Sequence, residues 1–410
     1  MGKQHRIFFV ICFCSLMVSS THAADWAFSP SISISERYDS NINFSFQNQE
    51  DDFITYVTPV FTITGETEKS KFRSDSTVTL EKYFKHTRYD DIEYDFNNVL
   101  SHQLTERFSA EAGAHFAKDT TLDTQLDQSG LSAERADRFL FDFGLEEKYA
   151  ISERLTASVS EGGGTVLYPD GQFPDTSSWR LGSDLGYLLT PRDTLHLSLS
   201  YWTTDYTYTS EEVLPVEASL TSTLQEIILW ERAMSETTSL RLGVGYRMTW
   251  TESFRRTLEL DPDFGLRSIK EKVDNQDGGL VFLSALEKVW SERFSTEFSA
   301  GKEQYSSADG QSFDHTYGAV TLKYAISEVT TANGTLRFDH NVAGGGSDEE
   351  RDYLKFAPSI ERRLSTNLSL KLAGSYEKQL RNTSGFEQDG DRHQVWVQLT
   401  YRLPRFLTNR

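Results

Sequence analysis

Three residues on one face of a single alternating segment carry the side chains of acid–base and nucleophilic chemistry: His196, Ser198 and Ser200. A histidine beside a serine supplies a base and a nucleophile once a carboxylate orients the ring. The other histidines beyond residue 22 are His86, His102, His115, His315, His340 and His393, and none stands at ligand spacing to another. No nucleophile elbow, phosphate loop or zinc-binding helix motif occurs. Small polar residues along one strand face account for His196–Ser200 more simply. The chain is therefore predicted not to be an enzyme and to need no cofactor.

Two acidic runs, Asp274-Asn275-Gln276-Asp277-Gly278 and Glu387-Gln388-Asp389-Gly390-Asp391, have the carboxylate density that hard cations want. Solvated outer loops have the same composition, so no metal site is assigned. The formal net charge is −20, which excludes a nucleic-acid partner.

The N-terminus sets the compartment. Lys3 and Arg6 precede an apolar run from Ile7 to Val18, and Ser19-Ser20-Thr21-His22-Ala23-Ala24 follows. That is the layout of a secretory signal peptide, too short for a membrane helix. Residues 1–23 are read as the signal, cut after Ala23, and 24–410 as one domain. Both cysteines, Cys12 and Cys14, fall in the signal, so the mature chain is predicted to hold no disulfide or cysteine-ligated metal. No later stretch is long and apolar enough for a membrane helix. With 27 Phe, 18 Tyr and only 9 Pro, the composition favours strands.

Those strands are bounded by a rhythm. Short Ser/Thr-plus-charge turns recur at Gly65-Glu66-Thr67-Glu68, Leu104-Thr105-Glu106-Arg107, Ile151-Ser152-Glu153-Arg154, Thr190-Pro191-Arg192-Asp193, Met234-Ser235-Glu236-Thr237, Trp290-Ser291-Glu292-Arg293, Ile326-Ser327-Glu328-Val329 and Leu364-Ser365-Thr366-Asn367. Between them fall longer polar connections near 40–51, 85–91, 118–136, 168–178, 205–218, 252–276, 305–312, 341–350 and 380–391. Eight turns and nine loops predict about eighteen strands. Short turns at one end and long loops at the other describe a transmembrane, antiparallel, up-and-down β-barrel with periplasmic turns, extracellular loops and both termini in the periplasm.

The segments alternate with period two. Leu240, Leu242, Val244, Tyr246, Met248 and Trp250 share one face, while Arg241, Gly243, Gly245, Arg247 and Thr249 share the other. Aromatics recur near the strand ends, at Tyr149, Tyr187, Tyr246, Trp250, Trp290, Tyr324, Tyr376 and Tyr401, as interfacial girdles require. The candidate lumen-lining residues are Arg180, Asp184, Arg241, Arg247, Lys355, Lys371, Gln394, Gln398 and Arg402. Three features depart from the pattern. Gly162-Gly163-Gly164 is expected to interrupt its strand. Pro59 and Pro358 demand a bulge or a local loss of pairing. The segment around Ile227 and Leu229, and that from Leu280 to Leu286, is apolar on both faces, which would suit a plug or an inward-folded loop.

The opening of the mature chain, Trp26-Ala27-Phe28-Ser29-Pro30, then Glu36-Arg37-Tyr38-Asp39-Ser40-Asn41-Ile42, Asp51-Asp52-Phe53 and Val57-Thr58-Pro59, resembles the β-barrel porin type 2 family. The resemblance covers about the first sixty mature residues. It implies an outer-membrane barrel associated with exopolysaccharide systems, and no catalytic motif comes with it.

An eighteen-stranded barrel is wide enough for an aqueous channel unless plugged. The expected function is a porin-like pore for a polar solute or exopolysaccharide. The alternative is a plugged barrel that docks components of an envelope export assembly. Expected partners are outer-membrane lipid and lipopolysaccharide, the barrel-assembly machinery, and exopolysaccharide or its export components. The first strand begins just after the expected cleavage site, which leaves no room for a TonB-type plug domain. The last strand, His393 to Leu403, alternates as an assembly signal does, although the chain runs on through Pro404 to Arg410.

Overall fold

The structure is a computed structural model that describes residues 25–131, 135–208, 216–261, 265–308, 310–344 and 348–408. The expected signal peptide and both cysteines lie outside the described residues. The long strands are β1 (Asp25–Asp39), β2 (Asp52–Glu66), β3 (Ser70–Tyr83), β4 (Asp91–Gln103), β5 (Phe108–Thr120), β6 (Asp137–Ala150), β7 (Leu155–Leu167), β8 (Asp175–Thr190) and β9 (Asp193–Thr207). They continue as β10 (Val216–Ser235), β11 (Thr238–Asp261), β12 (Gly265–Ser291), β13 (Phe294–Ser306), β14 (Ser312–Ser327), β15 (Thr330–Ala343), β16 (Glu349–Arg363), β17 (Leu368–Thr383) and β18 (Phe386–Arg402). Each pairs antiparallel with its sequence neighbours, and β18 pairs back onto β1, with Ser31 opposite Arg402 and Asp39 opposite Gln394. The result is a closed up-and-down barrel of eighteen strands. A short segment, Phe406–Thr408, resumes the β18 edge on Trp26–Phe28 after Pro404 shifts the register by one residue.

The turns and loops sort to opposite ends, as the rhythm predicts. The turns use one local device. The hydroxyl of Thr105, Ser152, Ser291 or Ser365 accepts from the backbone N–H three residues on, at 3.0 to 3.2 Å, which ties the reversal without a glycine.

The loop ends differ from expectation in three places. Of the stretch 252–276, expected as a loop, residues 252–261 and 265–276 belong instead to β11 and β12, an extended hairpin paired from Thr238↔Lys288 to Asp261↔Gly265. The stretch 380–391 is also strand, closed by a two-residue turn in which Ser384 and Gly385 both have positive φ, at 51° and 83°. That is the type I′ geometry whose twist matches the strands it joins. Polar composition misleads there because a strand that projects past the membrane has water on both faces. Gly162-Gly163-Gly164, thirdly, does not interrupt β7, which pairs continuously with β6 and β8.

Pro59 and Pro358 each lose the ladder on one side only. Val57↔Leu80 and Val60↔Thr77 flank the gap beside Pro59, and Phe356↔Tyr376 and Ser359↔Ala373 flank the one beside Pro358. The register is the same on both sides of each gap, so a missing N–H costs pairing without a bulge.

Candidate functional site

The register assigns a face to every residue. On the outside, Ile34, Leu197, Val244, Leu372 and Val395 are each at least half exposed. Tyr149, Tyr187, Trp290, Tyr324 and Tyr401 stand exposed just inside the short-turn end. Closure pairs every edge, so the backbone can sit in hydrocarbon, and the outward side chains find lipid where a soluble protein would expose them to water.

The chain is an outer-membrane β-barrel.

Its inner face is polar and is crossed at the loop end by chain folded inward. The β5–β6 connection carries a helix, α1 (Thr121–Ser129). Leu122 and Leu126, one turn apart, pack on Phe44 and Tyr353. The neck is tied where Thr121 N donates to Ala136 O and Ala136 N to Thr121 Oγ1, both at 3.0 Å. The C-terminus is capped from other strands. Arg337 donates to Gln128 O at 2.5 Å, Asn341 to Ser129 O at 2.8 Å and Gln379 to Gly130 O at 2.5 Å. These three carbonyls lack helical donors, and a cation beside them also suits the helix dipole. Gly130 is required. Its φ is 69°, and a Cβ there would stand 2.7 Å from Tyr353 Cβ.

Arg337, Asn341 and Gln379 lie on β15 and β17, whereas α1 leaves the wall between β5 and β6, so the helix reaches across the lumen. Leu131 continues into a cluster with Phe313 and Ala343. On the near side, Arg135 donates to Tyr83 OH at 2.7 Å. The β13–β14 connection also leans inward, since Ala308 packs with Ala136 and Tyr168. Burial pushes the Tyr168 hydroxyl up to about 12.

Residues 40–51 complete the closure. Asp39 accepts from Asn41 N and Gln394 Nε2, and Asn41 bonds Ser45 and Asp391. Phe44 adopts φ 49°, a strained conformation for an aromatic residue, and inserts its ring beside Tyr353 under the Arg392 guanidinium. At the rim, the Lys85 ammonium 2.7 Å from Asp51 and the Lys82 ammonium beside Asp90 hold those carboxyls below their usual range.

Beneath these segments run ion pairs. Arg392 and Lys355 both meet Glu377, at 2.5 and 3.5 Å. Arg351 and Arg381 share Glu349, at 2.7 and 2.8 Å. His315 sits between Asp339 at 2.7 Å and Glu303 at 3.4 Å. Arg247 is buried, not wet, and lies between Asp277 at 3.1 Å and Asp314. Beyond Phe282↔Lys302 no register pairs β12 with β13, which is where β14 reaches Arg247.

The other expected lumen residues lie on the inner face. Arg180 reaches over β7 to Asp142 at 2.6 Å. Gly162 and Gly164 make that crossing possible, since a Cβ on Gly162 would meet Arg180 Nε at 3.1 Å and one on Gly164 would meet Asp142 Oδ2 at 2.8 Å. Arg241 meets Glu231 at 2.9 Å, Gln394 joins Asp39, and Gln398 donates to Thr400 at 3.4 Å. Lys371 and Arg402 make no ion pair among the described residues. Asp184 takes His196 Nδ1 at 2.9 Å and Ser198 Oγ at 2.5 Å. The serine therefore donates to the carboxylate and not to the histidine, the reverse of a nucleophile–base relay. Ile227 and Leu229 face inward, but α1 docks elsewhere, on Phe44 and Tyr353.

Reading the sequence alone did not pick out Asp39, Arg337, Asn341, Tyr353, Glu377, Gln379 or Arg392 as site residues. Their inward parity was available, but their partners lie on other strands.

No family model and no curated protein matches the chain. Among solved structures, it is similar to the ferric-catecholate import receptor Fiu of E. coli K12 in its open form, with TM-score 0.48, 8% identity and coverage of 91% of this chain and 81% of that one. It is also similar to OccAB4 of Acinetobacter baumannii, with TM-score 0.44, 10% identity and coverage of 94% and 99%. OccK11 (OpdR) of Pseudomonas aeruginosa gives TM-score 0.44, 10% identity and coverage of 92% and 96%.

Proposed function

We propose that the barrel is a porin-like channel for a polar solute, narrowed at its outer mouth by its own loops. The polar inner face carries this reading. Acids crowd one sector, with Glu81, Glu93, Asp95, Glu111, Asp119 and Asp142 on β3–β6. Cations crowd another, with Arg351, Lys355, Lys371, Arg381 and Arg392 on β16–β18. Charges so divided set up a transverse field in a low-dielectric tube, which orients polar solutes and slows apolar ones. The resemblance of the first sixty mature residues to the β-barrel porin type 2 family supports the same reading and adds exopolysaccharide as a candidate solute.

Single-channel recording in planar bilayers tests the proposal. Folded protein should conduct in small steps. Folded, inserted protein that passes no current would leave the second reading, a barrel plugged by α1 that serves as a docking piece. The carbonyl caps on Gln128, Ser129 and Gly130 favour that second reading, because three directed bonds hold the helix across the lumen.

A further inference from the structure

Most lumen arginines are spent on acids. Arg73, Arg138, Arg180, Arg241, Arg337 and Arg392 each meet a carboxylate at 2.5 to 2.9 Å. Arg37 does not. On β1, two residues inside the buried Asp39, its guanidinium lies 4.6 Å from the Tyr56 ring centre and 5.2 Å from that of Trp396. Its Nε is buried without a hydrogen-bond partner, and the residue as a whole is half-buried. Two rings from neighbouring strands flank the group, and it makes no ion pair among the described residues. A half-buried guanidinium flanked by two rings and without an ion-pair partner among the described residues can donate two parallel N–H bonds to a planar oxyanion.

The wall continues in kind. Gln398 stands opposite both Ser35 and Lys371, one inward step below Trp396, and Arg402 stands opposite Ser31 further on. Strand spacing puts the Arg37 and Lys371 backbones about 12 Å apart, with the Gln398 amide and the Ser35 hydroxyl between them. Neither Lys371 nor Arg402 makes an ion pair among the described residues. Unpaired cations separated by hydroxyl and amide groups fit a solute that carries both a carboxylate and many hydroxyls.

We propose that Arg37, Lys371 and Arg402, with Tyr56, Trp396 and Gln398, form a binding track for polyhydroxylated carboxylates of the sugar-acid class. It begins directly beneath the closed mouth and is open to ligand from the short-turn end. The proposal rests on the channel reading, yet binding can be measured without conduction. Calorimetric titration of the full folded barrel in detergent, with glucuronate as probe and glucose as its neutral counterpart, tests it. Glucuronate should bind and glucose should not. Arg37→Gln should weaken glucuronate by about tenfold or more, while Arg37→Lys keeps part of the affinity. If Arg37→Gln does not fold, the double variant Lys371→Gln with Arg402→Gln should show a loss of the same sign. Equal binding of glucose and glucuronate, or glucuronate affinity unchanged in the variants, overturns the track. Binding without bilayer current would retain the track and remove the channel. Current with no glucuronate binding would do the opposite.

Discussion

In the mouth, Glu377 takes Arg392 at 2.5 Å and Lys355 at 3.5 Å, and 1% of its side chain is left to water. On the wall of β8–β11, Glu231 takes Arg241 at 2.9 Å with 39% of its side chain wet. The residue types and distances match, but the surroundings differ. A buried pair has given up its hydration, so loss of one partner strands the other. A wet pair exchanges protein for water at little cost and is screened by salt. The same chemistry therefore fastens segments in the mouth and merely sets the local field on the wall.

Variants sharpen that comparison. The largest effect should come from replacing residues 121–131 with a short glycine linker. If the mouth is what limits passage, conductance should rise by about an order of magnitude toward that of an unobstructed barrel of this size. Unchanged conductance would place the constriction elsewhere. Next, Glu377→Gln leaves Arg392 and Lys355 facing a neutral amide and should cost about 3–5 kcal/mol in urea unfolding from vesicles. Arg241→Gln on the wall should cost less than about 1 kcal/mol in the same assay.

An alkaline titration separates the regions without mutation. Tyr168 ionises at about 12 in the folded mouth against 10.0 for a free phenol. The folded state keeps its proton longer, so this contribution is complete below pH 10 and is lost as pH rises toward 12. Tyrosinate absorbance and conductance should change together in that window, and Tyr168→Phe should abolish the coupled step. The smallest effect lies at the acid end. Asp51 and Asp90 are depressed below 3.8, so their rim contacts with Lys85 and Lys82 are present above that pH and fade below it. Proteolysis of the rim loops should speed up only in that acid range.

Much of this architecture could be read from the chain. Runs such as Leu240 to Trp250 fix which face meets lipid, because period two leaves no freedom once one residue is placed. The Ser-Glu-Arg turns mark one end of the barrel because each hydroxyl closes its own turn. The closure of the mouth was not legible. Leu122 and Leu126 offer one turn of amphipathic helix inside a polar stretch. Their partners Phe44 and Tyr353 are far away in sequence, and only the folded register brings them together. Arg37 was passed over for a similar reason. That it makes no ion pair among the described residues can be seen only in the folded barrel.

The seam between β1 and β18 also orders events in time. Asp39 needs Gln394, Asn41 needs Asp391, and Arg37 needs Trp396, each spanning nearly the whole chain. Contacts of such separation come last, after the local hairpins have zipped. Within residues 40–51, Ile42, Asn43 and Glu50 meet Tyr83, Tyr89 and Arg88 nearby in sequence, whereas the Asn41–Asp391 bond waits for the final strand. The seam that closes the tube therefore also sets the last bonds of the mouth, so closure of the wall and the final fastening of this loop are one event.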